Sequence, residues 1–532
     1  MKHLYIDANA VIGRPNIPQP LAPTSLEELL ADLDRADTAA AIVCRAEATA
    51  CYYGKANEDL LVQAGPRIFP IITLPAAAAR ELGRTFDDLL GEAKRRGAVG
   101  VKLAPSAFGE PLLSRLYAPL CRAMLRAGLP AVVSIAHVDL AALDAFCAAF
   151  PDLPLLLTDA SWGAARAVWG LMEAHANMHV ECSSFHCNEI AALLHEAGLG
   201  ERLMFGSGWP NREPAPVKAL IAYADVPDCV KEAIAYGNAC RFFGISTGDL
   251  VFSDWRPVDE YDRAVHDGLP LPEPALDAHG HMVADGGVGF SYVAILRGEA
   301  AGMAAEMDRL GIAMTVVSPW EGLSSDAVGA NATSLAAANN HPGRFLGYGC
   351  YNPNYPDTLD ACIAALDEPC IVGIKPYWIW SGHDADSPGY APWFEAAAAR
   401  NMLCLWHCDD AEHAKQAVWL AKKYPGLQIL LAHSGRSYRV AEHNLAAARQ
   451  APNIHLEITF TSIAYGVLEH LVRGIGAERV LFGTDAPMRD PAPQVAWVAQ
   501  AKGLSVAEKK LVFGENLERL LEAVQHFSGG RG

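Results

Sequence analysis

The sequence predicts an α/β protein built from two tandem (β/α)₈ barrels, the TIM-barrel architecture. The chain has 532 residues, which is more than one hydrophobic core usually serves. Its two halves repeat one another, and short apolar runs alternate with alanine- and leucine-rich segments of helical spacing. An open, doubly wound sheet is the alternative fold. We disfavour it because no glycine-rich phosphate loop follows the first apolar run.

The repeat is visible segment by segment. "LYIDANAVIG" in the first half pairs with "ALDAHGHMVA" in the second, and "ERLMFGSGWPNREPAP" pairs with "ERVLFGTDAPMRDPAP". The proline-rich "GLPLPEPA" that precedes the second copy is typical of an extended spacer. We therefore predict a first barrel at residues 1–248, a linker at 249–274 and a second barrel at 275–532. Each half has about the usual size of one such barrel, roughly 250 residues.

The second half contains one apolar run for each strand of a barrel. Such near-continuous apolar runs suit parallel strands that are buried on both faces, and segments such as "AEHAKQAVWLAKKY" supply the helices between them. The runs are "PALDAHGH", "AMTVVSP", "RFLGYGCY", "CIVGIKPY", "MLCLWHC", "QILLAHSG", "IHLEITF" and "RVLFGTDAP".

The composition indicates a compact globular protein, with 51% hydrophobic and 19% charged residues. The formal net charge of −19 argues against a nucleic acid or an anionic membrane as the main partner. The sequence shows no signal-peptide pattern and no uncharged apolar stretch of about 20 residues. We therefore expect a cytoplasmic protein with a small-molecule substrate. Whether it forms a homo-oligomer stays open.

Metal-binding residue types lie at the predicted strand ends of the second half. Residues two apart on a strand share a face, so His279 and His281 point together, although such a pair alone is compatible with a structural role. His407, His433 and Asp485 lie at the ends of the fifth, sixth and eighth strands, where barrel active sites form. A catalytic divalent ion takes three or four nitrogen and oxygen ligands, and His279, His281, His407 and Asp485 supply them. His433 and Asp485 would then move protons.

Other residues at the same strand ends are candidates for substrate binding. Arg436 and Arg489 could clamp a carboxylate through paired hydrogen bonds, or they could pair with acidic side chains. Trp378, in "PYWIWSGH", could line a pocket for a flat organic acid or only pack within its loop. Lys375 could polarise a substrate carbonyl. We therefore expect a small carboxylate-type substrate.

The first half lacks most of these groups. Valine and glycine offer no side-chain ligand atom, and one histidine with one carboxylate is too little for a tight metal site. We interpret the first half as a degenerate barrel that keeps the fold, and that serves either as a built-in partner or only as a stabilising unit. The residues at the aligned positions are Asn9, Val11, Lys102, His137, Asp159 and Gly208.

The second half resembles the amidohydrolase superfamily, in particular its amidohydrolase-related group of mononuclear metal enzymes. The motifs that carry the resemblance are "DAHGH", "GIKPY", "LWHC", "LLAHSG" and "LFGTDAP". The resemblance implies one divalent ion, usually zinc with manganese as the alternative, bound by His279, His281, His407 and Asp485. It also implies that His433 assists catalysis.

The resemblance leaves the reaction open. The leading hypothesis is a metal-dependent hydrolase that uses activated water on a lactone, ester or amide of a small organic acid. The first alternative is a non-oxidative decarboxylase of an aromatic or unsaturated carboxylic acid at the same site. The second is a binding protein without catalysis. A nicotinamide-dependent oxidoreductase is disfavoured because the sequence has no dinucleotide fingerprint.

Overall fold

The computed structural model describes residues 4–250, 254–284, 286–287, 295–460 and 463–524. The chain divides into two compact units between Pro257 and Val258, inside the segment 249–274 that the sequence predicts as the linker. Each unit contains one eight-stranded parallel sheet whose strands are hydrogen-bonded in sequence order. The predicted fold class, two tandem (β/α)₈ barrels, is therefore confirmed.

The strands of the first unit are β1 (Ile6–Ile12), β2 (Ala40–Arg45), β3 (Ile68–Thr73), β4 (Gly100–Leu103), β5 (Ala131–Ser134), β6 (Leu155–Thr158), β7 (Met178–Glu181) and β8 (Leu203–Met204). Those of the second unit are β9 (Ala275–Gly280), β10 (Ile312–Val317), β11 (Phe345–Gly349), β12 (Ile371–Ile374), β13 (Leu403–His407), β14 (Gln428–Ala432), β15 (Ile454–Glu457) and β16 (Val480–Leu481). Each strand of the second unit falls within one of the apolar runs read from the sequence, except that β10 begins one residue earlier, at Ile312.

The helices of the first unit are α1 (Leu26–Arg35), α2 (Glu47–Ala50), α3 (Tyr53–Leu61), α4 (Ala78–Glu81), α5 (Phe86–Arg95), α6 (Ser114–Ala127), α7 (Leu140–Ala149), α8 (Ala165–Ala174), α9 (Ile190–Glu196), α10 (Pro214–Ala222), α11 (Asp228–Glu232) and α12 (Asn238–Phe243). Those of the second unit are α13 (Glu260–His266), α14 (Ala300–Leu310), α15 (Trp320–Ser324), α16 (Ala327–Asn340), α17 (Leu359–Ala364), α18 (Trp378–Ser381), α19 (Ala391–Ala398), α20 (Ala411–Lys423), α21 (Tyr438–Ala448), α22 (Val467–Ile475), α23 (Ala492–Ala499), α24 (Val506–Lys510) and α25 (Asn516–Glu522). Within the described part of the chain, no helix has the length and apolar character needed to cross a membrane.

The predicted linker contains the short helix α13, which belongs to the second unit. Tyr261 of this helix is buried and stacks on Phe513 with ring centroids 5.5 Å apart. The buried Asp262 accepts a hydrogen bond of 3.0 Å from the side chain of Gln500. These contacts tie the end of the linker to the second barrel.

Each barrel is closed by contacts between its first strand and the segment after its last strand. In the second barrel the backbone N–H of Ala278 donates to the carbonyl of Phe482 at 3.0 Å, and that of His281 donates to the carbonyl of Ala486 at 2.7 Å. On its other side Gly280, between the two histidines, packs closely on β10, where a Cβ would lie 2.4 Å from Thr315 Cγ2. The two backbone hydrogen bonds fix the segment that carries the histidines against the segment that follows β16.

A buried aspartate reinforces the closure of the second barrel. Asp277 accepts hydrogen bonds from the backbone N–H of His279 at 2.9 Å and from the backbone N–H and hydroxyl of Thr484 at 3.0 and 2.6 Å. Burial raises the pKa of Asp277 to about 7, although these hydrogen bonds oppose the shift. The carboxylate therefore links the first strand to the segment after the last strand.

The first barrel repeats this link with the buried Asp7. Its carboxylate accepts from the backbone N–H of Asn9 at 3.0 Å and from the backbone N–H and hydroxyl of Ser207 at 2.8 and 2.5 Å. The aligned aspartates therefore have the same structural role, whether or not the barrel carries the predicted ligands.

We expect Asp7→Ala to lower the free energy of unfolding of the first barrel by about 3 kcal/mol, because it leaves buried N–H and O–H donors without an acceptor. Urea denaturation monitored by circular dichroism measures the loss. Asp152→Ala, at an exposed position of the same unit, is the control and should change stability by less than about 0.5 kcal/mol. Equal stability of the two variants would contradict the assigned role of Asp7.

Candidate metal centre

The mouth of the second barrel collects the side chains that the sequence predicts as a metal site. His279 lies in β9 and His281 directly follows it, His407 ends β13, and His433 directly follows β14. Asp485 lies shortly after β16. Because parallel strands of a barrel end at one rim, these side chains converge. All are buried except His407, which is partly exposed.

Three of the four predicted ligands form one cluster. His279, His281 and Asp485 offer ligand atoms that all lie within 4.8 Å of one another, and the described residues contain no other group of this kind. Nε2 of His281 lies 3.1 Å from Oδ1 of Asp485, and Nε2 of His279 lies 3.6 Å from the same oxygen. Two imidazole nitrogens and one carboxylate oxygen are a donor set that a catalytic divalent ion accepts.

Neighbouring hydrogen-bond acceptors orient both His279 and His281. Nδ1 of His279 lies 2.9 Å from Oε2 of Glu457, and Nδ1 of His281 lies 2.8 Å from the carbonyl oxygen of Ser318. Donation from Nδ1–H leaves the lone pair of each ring on Nε2, which faces Asp485. Histidines that bind metals typically donate their second N–H to a carboxylate or carbonyl in this way, so the arrangement fits a bound ion.

The other two histidines are also held by neighbouring acceptors, but through different ring nitrogens. Nδ1 of His433 lies 3.0 Å from the carbonyl oxygen of Thr459, which leaves Nε2 as its second nitrogen. Nε2 of His407 lies 2.9 Å from Oδ2 of Asp409. The ring of His433 lies between the others, 5.2 Å from that of His279 and 4.6 Å from that of His407. His407 therefore lies beside His433 and does not belong to the three-residue cluster.

Burial and local charges set the protonation states. Burial is the main cause that lowers the pKa values of His279 and His433 well below their usual range. Burial raises the pKa of Asp485, but neighbouring charges, that of Arg489 first among them, outweigh it and hold that pKa well below its usual range. Neutral imidazoles and an ionised carboxylate are the forms that bind a metal.

The backbone around the site adopts left-handed conformations at two functional positions. His433 has φ 66° and Asp485 has φ 61°, and the aligned residues of the first barrel, Asp159 and Gly208, have φ 60° and 73°. Non-glycine residues rarely adopt this region. Both barrels therefore use the same backbone turn to direct these positions into the mouth.

Lys375, predicted to contact substrate, directly follows β12 and is buried beside the cluster. Its Nζ lies 3.4 Å from Nε2 of His279. Burial lowers the pKa of Lys375 to about 8. The amine is therefore close enough to contact a molecule bound at the cluster.

The two predicted substrate-binding arginines are engaged with carboxylates of the protein. Nη1 of Arg489 lies 3.3 Å from Oδ2 of Asp485, and Nη1 of Arg436 lies 2.7 Å from Oδ1 of Asp409. Both guanidinium groups also lie over the ring of Phe460, at 4.2 and 5.1 Å from its centroid. Arg489 thus contacts a predicted ligand and Arg436 an acid beside one, and a substrate contact stays a prediction.

Several aromatic side chains border the site, and the predicted Trp378 is only one of them. The ring of Trp378 stacks on that of His413 at 3.5 Å. Trp320 lies 5.2 Å from the ring of His281, and Trp380 lies 5.1 Å from the ring of Trp320. Trp320 was missed in the sequence, where its signal is an aromatic residue just after the second strand, in "VVSPWEG".

Two acids that orient histidines were also missed. Glu457, at the end of β15, is recognisable only from its alignment with Glu181 of the first half. Asp409 follows His407 in "WHCDD", where the first half has a single aspartate in "AHVDL". Neither acid has a spacing that predicts its partner.

The first barrel fills the corresponding place with its own side chains. Nδ2 of Asn9 donates to Oδ1 of Asp159 at 2.9 Å and to Oε1 of Glu181 at 3.1 Å. A Cβ at Gly208 would lie 2.6 Å from Nη1 of Arg212, so the guanidinium occupies the space where the second barrel has the carboxylate. An amide and a guanidinium thus stand where the second barrel has its candidate ligands.

Comparisons with known proteins agree with this architecture. The family model described as amidohydrolase matches residues 14–245 and again residues 276–522. No curated protein matches the chain.

Similar solved structures include three decarboxylases, each of which covers 47% of this chain. The 5-carboxyvanillate decarboxylase of Novosphingobium aromaticivorans, complexed with manganese and 4-hydroxy-3-methoxy-5-nitrobenzoic acid, is 18% identical, has a TM-score of 0.38 and is itself 96% covered. The 5-carboxyvanillate decarboxylase of Sphingomonas paucimobilis is 16% identical, has a TM-score of 0.37 and is 99% covered. The 2,6-dihydroxybenzoate decarboxylase of Rhizobium is 17% identical, has a TM-score of 0.35 and is 99% covered.

The family model spans almost all of both barrels, which also confirms the tandem duplication. The chain belongs to the amidohydrolase family, with one copy of the family's domain in each half.

Proposed function

We propose that the second barrel binds one divalent metal ion and hydrolyses a small organic acid derivative: a lactone, an ester or an amide. The observation that carries this proposal is the convergence of His279, His281 and Asp485 within 4.8 Å. His407 completes the proposed ligand set: its ring lies 4.6 Å from that of His433 at the same rim, and Asp409 holds its Nε2, which leaves Nδ1 for the ion.

The donor set fits both Zn²⁺ and Mn²⁺, because imidazole suits zinc and carboxylate suits either ion. Such an ion, when bound, polarises a carbonyl group and lowers the pKa of water to about 7. Zn²⁺ is the ion that we expect first, since histidine nitrogens dominate the ligand set.

The protein's own residues supply proton transfer and orientation. His433 is neutral and keeps Nε2 available, so it can accept a proton from water and return it to the leaving group. Asp485 shares the site as an ionised acceptor beside it. Lys375 is buried next to His279 and can donate a hydrogen bond to the carbonyl oxygen of the substrate.

The second candidate function is non-oxidative decarboxylation of an aromatic or unsaturated acid. The observation that favours it is the aromatic wall of Trp320, Trp380 and Tyr377, whose rings contact one another at 5.1 and 5.2 Å. Flat conjugated molecules stack on such rings. A screen of lactones, esters, amides and unsaturated acids distinguishes the reactions, because hydrolysis releases no CO₂ and decarboxylation does.

We expect the purified protein to contain about one zinc or manganese ion per chain and the double variant His279→Ala, His281→Ala to contain none, because two of the clustered ligands are lost. Elemental analysis of protein prepared without chelators measures the content. The matched control changes the aligned first-barrel positions, Asn9→Ala with Val11→Ala, and should keep the full content. An intact protein that neither contains nor takes up an ion would contradict the proposal and favour a non-catalytic binding protein.

We expect His433→Asn to keep the metal and to lose turnover by about 10²- to 10⁴-fold, the contribution typical of a general acid–base residue. Steady-state kinetics on a substrate from the screen, together with elemental analysis, gives both values. His195→Asn, at an exposed position of the first barrel, is the control and should behave as the wild type. Turnover that survives in His433→Asn would remove this residue from the mechanism.

A further inference from the structure

The second barrel has two aspartates after β13 where the first barrel has one after β5. In the first barrel Asp139 caps α7 and accepts from the backbone N–H of Ala141 and Ala142 at 2.8 and 3.0 Å. In the second barrel Asp410 caps α20 in the same way, accepting from two backbone N–H groups of its first turn. Asp409 is therefore an additional residue that helix capping does not require.

Both carboxylate oxygens of Asp409 are used at the mouth of the barrel. Oδ2 lies 2.9 Å from Nε2 of His407, and Oδ1 lies 2.7 Å from Nη1 of Arg436. A neutral imidazole that donates Nε2–H to a carboxylate keeps its lone pair on Nδ1. The contact therefore decides which nitrogen of His407 can bind a metal.

The first barrel lacks both members of this arrangement. His137 aligns with His407, but its Nδ1 lies 2.8 Å from the hydroxyl of Ser106. Trp162 stands at the position of Arg436. Within one chain, the barrel without the ligand set thus has neither the additional aspartate nor the arginine, which separates this pair from the features that every such fold needs.

We propose that Asp409, held by Arg436, is a positioning residue that fixes the ring of His407 so that Nδ1 binds the metal ion. This inference rests on the metal site proposed above. Arg436 then acts through Asp409 rather than as a carboxylate clamp for substrate, and the contact keeps the ring from turning its other nitrogen to the ion. Outer partners of this kind typically change metal affinity by about 10- to 100-fold.

The test uses the full chain, stripped of metal with a chelator and titrated with Zn²⁺ against a chromophoric competitor. We expect Asp409→Asn to raise the Kd for Zn²⁺ by about 10- to 100-fold, and Arg436→Gln to raise it by a smaller factor. Asp410→Asn is the matched control: it makes the same change one residue away, and asparagine still caps a helix, so its Kd should equal that of the wild type. The visible spectrum of the Co²⁺-loaded protein should change in Asp409→Asn and not in Asp410→Asn.

The melting temperature of the metal-free protein separates positioning from folding, because a positioning role leaves it unchanged. If Asp409→Asn lowers it, Arg436→Gln decides: a raised Kd supports the inference and an unchanged Kd overturns it. A wild-type Kd and Co²⁺ spectrum in Asp409→Asn, with weakened binding in His407→Ala, overturns the inference and leaves the metal site standing. Undiminished binding in His407→Ala removes this ligand, and absence of Zn²⁺ uptake by the wild type overturns the proposed function itself.

Discussion

One buried carboxylate determines where the candidate ligands lie. Asp277 is hydrogen-bonded at once to the backbone that carries His279 and to Thr484, the residue before Asp485. The first strand and the segment after the last strand are thus held together at the point where the barrel closes. The 3.1 Å separation between His281 and Asp485 follows from this closure. Because the first barrel keeps the same link through Asp7, the link serves the fold in both barrels and, in the second, also holds the candidate metal ligands in place.

The sequence predicts those parts of the structure that depend on periodicity. Alternation along β9 places His279 and His281 on one face, and the order of the apolar runs assigns His433 and Asp485 to strand ends. It does not predict what the side chains contact across the mouth. Asp409 contacts His407 because the loop after β13 brings its carboxylate to that ring. Such contacts depend on the path of the loop rather than on the spacing of residues in the sequence.

A comparison of the two barrels shows which interactions persist where the candidate ligands differ. Glu457 orients His279 in the second barrel, and the aligned Glu181 accepts from Asn9 in the first. The acid is kept although its partner has changed from an imidazole to an amide, since a buried carboxylate needs a donor in either case. The substitution of the ligand therefore still leaves Glu181 with a hydrogen-bond donor, although the chemistry at the centre of the first barrel differs.

The left-handed backbone at Asp485 indicates which of the two aligned residues, aspartate or glycine, is the more stable at this turn. A side chain in that region costs about 1 kcal/mol that glycine avoids, and Gly208 holds the aligned turn at φ 73°. In a barrel released from metal binding, replacing the aspartate by glycine gains stability, whereas the reverse change restores the strain and displaces the guanidinium of Arg212. At this one turn, stability alone therefore favours glycine, and the return of an aspartate would have to overcome both the backbone strain and the buried guanidinium.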